Sequence, residues 1–273
     1  MTALINAADL LHEIDDEDLV VLDVQYTLTG DGPRLYTEGH LPGAPFVDVD
    51  TVLAGPAGEG GRHPLPDVAT LQAGLRTAGL GDDSRVVVYD QGTSLGAARA
   101  WWVLRWAGVE DVRVLDGGLA AWHAAGGPVV TEPVAPEEGE IHLEADHLVE
   151  LDAEDAVATA KLGVLVDARS PERYRGETEP IDPVAGHIPG AVNVPMSDLV
   201  QPDGRLRPAR ELRERFAREG IDEVTVVGTY CGSGITAAHT ALALHEAGVD
   251  ADVYVGSWSE WITDPSRPVA TGA

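Results

Sequence analysis

The chain encodes one structural unit twice. The run VVLDV (residues 20–24) returns as VLVDA (164–168), and GHLPGAPFVDV, beginning at Gly39, returns as GHIPGAVNVPM, beginning at Gly186. The long stretch RVVVYDQGTSLGAARAWWVLRWAGVEDVRVLDGGLAAW from Arg85 is matched by EVTVVGTYCGSGITAAHTALALHEAGVDADVYVGSWSEW from Glu223. Both halves give their cues in the same order: apolar strand, His-Pro-Gly turn, amphipathic helix, apolar strand, small-residue loop, Ala-rich helix, strand and Trp-bearing terminal helix. A sequence repeated at this scale must build two similar cores. Its 273 residues are long for one core and comfortable for two.

The strands are continuous apolar runs rather than alternating ones, and helical segments separate them. That is the signature of parallel sheets covered on both faces. The expected fold is α/β, with two tandem domains, each a parallel sheet flanked by helices. The stretch TEPVAPEEGEIHLEAD has Pro, Gly and acidic residues without helical periodicity, so it reads as a linker at 131–146. The domains then run over 1–130 and 147–273. In PARELRERFAREG, Pro208 suits the first helical position, Leu212 and Phe216 lie one turn apart, and Gly220 suits the C-terminal cap.

Charge narrows the partners. Asp and Glu number 46 against 18 Lys and Arg, a formal charge of -28, and Lys161 is the only lysine. Such a surface disfavours nucleic acid and points to a salt-adapted or GC-rich source. No run of about 18 apolar residues is present to span a bilayer, and the N-terminus lacks the basic and apolar regions of a secretory signal, so a cytoplasmic location is expected. A single cysteine allows neither an intramolecular disulfide nor a four-thiolate metal site. No metal and no cofactor are expected.

That cysteine, Cys231, lies in YCGSGIT, where an apolar strand passes through a short loop into an Ala-rich helix. Open α/β sheets place ligands at the carboxyl ends of their strands. Gly232 and Gly234 let successive N–H groups of Gly232, Ser233, Gly234, Ile235 and Thr236 curl around one anionic centre, and the following helix points its positive end at the sulfur. Both effects favour negative charge on sulfur, the reactive form of a thiol. A lone cysteine is more often an inert core residue, but a core residue needs neither flanking glycines nor a strand-to-helix loop. In the first half the corresponding position holds Asp90 or Gln91, so one half carries a thiol site and the other a relic.

CGSGITA, two GH[LI]PGA turns and the duplicated α/β pattern together resemble the two-domain rhodanese or sulfurtransferase family, and most of all its 3-mercaptopyruvate-type members, over residues 19–268. The resemblance implies that Cys231 attacks the sulfane sulfur of a donor, 3-mercaptopyruvate or thiosulfate, and carries it as a persulfide. A thiol such as thioredoxin, glutathione or another low-molecular-weight thiol, or cyanide, then accepts it. It implies a role for Ser233 in polarising substrate or relaying a proton, and for His40, in the first GHLPGA turn, in reaching that serine, with Asp31 as its orienting acid. His187, in the second turn, is expected to be structural. Arg173 matches a family arginine that holds the donor's anionic end through paired hydrogen bonds, whereas Arg169 is expected to pair internally near Asp167.

The chain also departs from the family pattern. Mercaptopyruvate enzymes usually have a second arginine shortly before the second GHIPGA, and ETEPIDPVAGHIPGA has none. A charge-assisted hydrogen bond contributes about 1.5–3 kcal/mol, so its loss weakens carboxylate binding roughly tenfold or more. Thiosulfate-type loops usually place Arg and Lys directly after the cysteine, where this chain has Gly232 and Ser233. Two other classes compete. A cysteine phosphatase needs an arginine after five intervening residues, and that position is Ala237. A non-catalytic rhodanese-like binding module needs no thiol. The six tryptophans are expected to be core, with one or two near Cys231.

Overall fold

The computed structural model describes residues 2–272. The chain forms two compact units, each assembled from separated parts of the sequence. One holds the chain up to Gly55 together with Leu65–Leu148 and Gln201–Leu206; the other holds Pro56–Pro64, Val149–Val200 and the chain from Arg207 onward. The two short segments belong to the unit opposite the rest of their half. Repetition in the sequence does not reveal this, because hydrophobic patterning fixes the cores but not where polar loops settle.

The first unit contains β1 (Leu4–Ile5), α1 (Ala7–Glu13), β2 (Leu19–Asp23), α2 (Gly32–Glu38), α3 (Val68–Thr77), β3 (Arg85–Tyr89), α4 (Leu95–Trp106), β4 (Val112–Leu115) and α5 (Gly118–Ala124). Its sheet has the order β1-β4-β3-β2, all parallel, and Phe46 extends it by a single parallel bridge to Asp23. The second unit contains α6 (Ala153–Leu162), β5 (Val164–Asp167), α7 (Pro171–Tyr174), β6 (Val192–Asn193), α8 (Ala209–Ala217), β7 (Val227–Tyr230), α9 (Ile235–Ala247), β8 (Asp252–Val253) and α10 (Ser257–Trp261). Its order is β6-β5-β7-β8, again parallel, and Glu150 adds a parallel bridge to Val253. Phe46 and Glu150 thus mark the fifth position that the other unit fills with a short strand.

The duplication reaches individual bonds. Tyr89 accepts the Leu41 amide on its hydroxyl at 2.9 Å, and Tyr230 accepts the Ile188 amide at 3.1 Å. Trp122 donates to the Pro128 carbonyl, and Trp261 to that of Pro268. All six tryptophans are buried. α8 begins at Ala209, one residue after Pro208, which caps it, and Gly220 lies beyond its end at φ +77. Leu212 and Phe216 are buried together on its inner face. The stretch 131–146 is tied to the first unit rather than loose: Gly139 donates to the Arg76 carbonyl, Ile141 to that of Leu80, and Leu143 to the Gln72 side chain. Among the described residues no helix is long and apolar enough to cross a membrane.

Candidate active site

Cys231 follows the last residue of β7, and α9 begins four residues later. The loop turns because Gly234 adopts φ +84, a left-handed conformation that glycine reaches without steric cost. That turn aims the Gly234 amide back at the cysteine, whose Sγ accepts it at 3.2 Å. Ile235 and Thr236 open α9, so their amides have no carbonyl one turn earlier in the helix. The thiol is 2% exposed. Among the described residues, no group of three or more His, Cys, Asp or Glu could hold a metal ion.

The start of α10 fixes the rear of the loop. Ser257 Oγ accepts the Cys231 amide at 3.1 Å and donates to the Tyr254 carbonyl at 2.8 Å. The Trp258 amide donates to the Cys231 carbonyl, and the Ser259 amide to that of Gly232. Ser257 does this from φ +54, a backbone conformation that costs a residue with a Cβ about 1–2 kcal/mol. In the first unit the equivalent residue is Gly118 at φ +55.

The first unit also resolves which residue stands in the cysteine position. The Leu119 amide donates to the Asp90 carbonyl at 2.9 Å, as the Trp258 amide does to that of Cys231. Asp90 therefore takes the place of the thiol. Its carboxyl oxygens accept the amides of Gly92, Ser94 and Gly96 and so fill the cradle. Burial raises its pKa, and the three amides oppose that rise. Gln91 instead bonds the Tyr26 backbone.

Ser233 is buried, and its Oγ lies 2.9 Å from Nδ1 of His63. The partner expected from the sequence, His40, is engaged elsewhere. It is fully buried in the first unit, with Nδ1 at 2.9 Å from the Tyr36 carbonyl, Nε2 at 3.1 Å from that of Glu132, and its ring stacked on Tyr36 at 3.9 Å. His187 repeats this arrangement with Tyr174, at 2.8 Å to the carbonyl and 3.8 Å between rings. Both GH[LI]PGA histidines bond backbone carbonyls of their own unit, and the histidine that lies on Ser233 is His63 rather than His40. Asp31 meets Arg34, Thr27 and Thr29, not His40. The signal for His63 was a basic pair, Arg62-His63, within the Gly- and Pro-rich run 55–66 of an otherwise acidic chain.

Arg173 projects from α7 over the loop. It donates through Nε and Nη2 to Glu179 at 3.0 and 2.7 Å, and Nη2 also meets Asp182 at 3.2 Å. Arg62 Nη1 bonds the other oxygen of Asp182. Deeper in, Arg169 pairs with Asp167 at 2.6 Å and reaches Glu179 at 3.4 Å, with its guanidinium 4.7 Å from the Trp258 ring. Burial pushes Glu179 upward, but the Arg173 hydrogen bonds and the amides of Asp182 and Ile181 outweigh it and hold the carboxylate low. Asp182 is raised, because burial outweighs the attraction of Arg62.

A buried thiol at the carboxyl end of a central parallel strand, held by a glycine-turned loop at a helix start, defines a class of α/β proteins built for nucleophilic sulfur chemistry. Within that class, the model of the rhodanese-like domain matches residues 6–125 and again 147–264, and the chain belongs to the rhodanese family. It is 47% identical over 277 residues to a Mycobacterium tuberculosis protein bearing the name thiosulfate sulfurtransferase SseB, covering 98% of this chain and 97% of that one. It is 46% identical over 283 residues to a Pseudomonas aeruginosa protein named for 3-mercaptopyruvate sulfurtransferase, covering 98% of each. The crystal structure of SseA from Escherichia coli, a 3-mercaptopyruvate enzyme, superposes with a TM-score of 0.84 at 32% identity, over 95% of this chain and all of that one.

Proposed function

We propose that the chain is a sulfurtransferase that takes the sulfur of 3-mercaptopyruvate onto Cys231 and hands it to an external thiol. The observation that carries this reading is the Gly234 N–H directed at the buried Sγ of a cysteine outside any disulfide, in a chain whose near relatives are named as sulfurtransferases. Those relatives bear different donor names at nearly equal identity, so the preference for 3-mercaptopyruvate rests on the loop sequence and on Ser233.

In the first half-reaction the Cys231 thiolate attacks the donor sulfur. An S–S bond forms, the C–S bond breaks with its electron pair passing to carbon, and the resulting enolate of pyruvate takes up a proton. In the second, an acceptor thiolate attacks the outer sulfur of the Cys231 persulfide, and the Cys231 thiolate leaves. No oxidant is consumed. The amides of Gly232, Ser233, Gly234, Ile235 and Thr236 are the donors that stabilise the Cys231 thiolate before it attacks and again as it leaves the persulfide. Arg173 holds the donor's carboxylate. Ser233, backed by His63, is placed to polarise the donor carbonyl or move the proton that the enolate takes up. His40 has no part in this scheme.

The chain has no second cysteine, so the persulfide cannot resolve internally; thioredoxin or a low-molecular-weight thiol acts as acceptor in a cytoplasmic setting. A cysteine phosphatase would need an arginine at the position of Ala237, which is buried in α9. The test is steady-state turnover. The wild type should release pyruvate from 3-mercaptopyruvate in the presence of dithiothreitol, and Cys231→Ser should release none. Equal release by the two proteins would overturn the assignment.

A further inference from the structure

The sequence lacks a second arginine in the stretch before GHIPGA, and that stretch contributes Asp182 instead. This acid lies between two guanidinium groups, with one oxygen on Arg62 and the other on Arg173. Each arginine thereby presents a further edge. Among the described residues, neither Nη2 of Arg62 nor Nη1 of Arg173 has an acceptor, while their other terminal nitrogens do. Both edges converge on the residue after the nucleophile. A Cβ placed on Gly232 would stand 2.8 Å from Nη2 of Arg62, and 3.4 and 3.6 Å from Nη2 and Nη1 of Arg173. The two guanidinium groups therefore occupy the space that a side chain at 232 would need.

Arg62 is held there by more than Asp182. Its amide donates to Ser259 Oγ at 3.0 Å, and the Ser259 amide in turn holds the Gly232 carbonyl. The segment carrying Arg62 is thus tied to the same helix start that fixes the nucleophile loop. Its side chain is 30% exposed and that of Arg173 16%, whereas Asp182 is 4% exposed. The cations reach toward solvent, and the acid is enclosed behind them.

We infer that Arg62 is the second anion-gripping residue of the donor site, with Asp182 as its positioning residue, and that the pair selects a monocarboxylate donor over a dianionic one. The inference rests on the sulfur-transfer reading only for the identity of the donor. Charge balance supplies the selectivity. Arg62, Arg169 and Arg173 are matched by Asp167, Glu179 and Asp182, so the cluster carries no surplus positive charge for a dianion, and Asp182 repels a second negative charge directly. Two N–H edges from separate arginines suit the two oxygens of one carboxylate. The donor's carboxylate then lies over Gly232, one residue from the sulfur that attacks.

The test needs no assumption about the reaction. Cys231 is alkylated with iodoacetate, a monocarboxylate, and with neutral iodoacetamide, in wild type and in Arg62→Ala. The ratio of the two rates should fall about tenfold in the variant, the effect of one charge-assisted hydrogen bond, with the iodoacetamide rate altered less than roughly twofold. A ratio that stays constant, whether both rates hold or fall together, overturns the inference. Donor kinetics give a second, opposite-signed readout in a variant that keeps Arg62. Asp182→Asn should shift the kcat/KM ratio toward thiosulfate by roughly threefold or more, as the repelling charge is removed. A scaffolding role cannot produce that gain, and an unchanged donor ratio contradicts the selectivity claim. If wild type uses neither donor, the sulfur-transfer reading fails while the alkylation ratio still decides the clamp.

Discussion

Ser257 keeps a left-handed backbone that its counterpart Gly118 reaches without a side chain, and the hydroxyl explains why a side chain is retained there. Ser257→Ala preserves the strain and removes both Oγ hydrogen bonds, leaving the buried Cys231 amide unpaired. A loss of about 1–3 kcal/mol in unfolding free energy is expected by denaturant titration. Variants separate the two histidines in the same way. His63→Ala and Ser233→Ala should each lower kcat for 3-mercaptopyruvate by roughly 10²-fold, and the double variant should fall no further, because the two act as one unit. His40→Ala should cost about 1–3 kcal/mol of stability and leave kcat near wild type; the reverse pattern would restore His40 to the chemistry. The loop of Cys231 and its turn at Gly234 were legible in the sequence because strand, loop and helix are contiguous there. His63, Arg62 and Asp182 were not, because no local pattern records which loop folds onto which sheet.

At the level of the strand, the two repeats solve one problem with different charges. β2 and β5 both end in a buried aspartate. Asp167 is paired with Arg169, whereas Asp23 has the neutral amide of Gln25 at 2.9 Å. Burial therefore raises Asp23 to about 6, against the opposing hydrogen bonds from Tyr89 and Gln25. A carboxyl whose folded pKa is raised favours the fold below its unfolded value, and that advantage is lost as pH rises through the folded one. Between pH 4 and 6, wild type should lose up to roughly 3 kcal/mol relative to Asp23→Asn, which cannot ionise. Urea unfolding of both proteins at pH 4.5 and 7.5 checks this, and a difference independent of pH would contradict it. The strands themselves were readable as apolar runs ending in aspartate. The contrast between Gln25 and Arg169 stood in the sequence too, two residues after each aspartate, but its consequence needed the burial that the fold supplies.

The molecule as a whole carries a formal charge of -28, and most of its arginines are already committed to nearby acids. Uncompensated carboxylates repel across each surface, and salt screens them within about 10 Å at 0.1 M. The thermal midpoint should rise as NaCl increases from low millimolar to about 0.5 M; a fall would mean that the ion-pair networks outweigh the repulsion. Duplication and parallel sheets were visible in the sequence at this scale because they depend on apolar periodicity. The crossing of residues 56–64 and 201–206 into opposite units was not, since those loops are polar and their placement depends on a few bonds such as Leu206 to Asp116 and Arg62 to Ser259. Whether Cys231 carries the sulfur is read from intact mass after a brief incubation with 3-mercaptopyruvate and no acceptor. Wild type should gain the mass of one sulfur atom, removable by dithiothreitol, and Cys231→Ser should gain none. An unmodified wild type, or a sulfur added equally to both proteins, would mean that Cys231 is not the carrier.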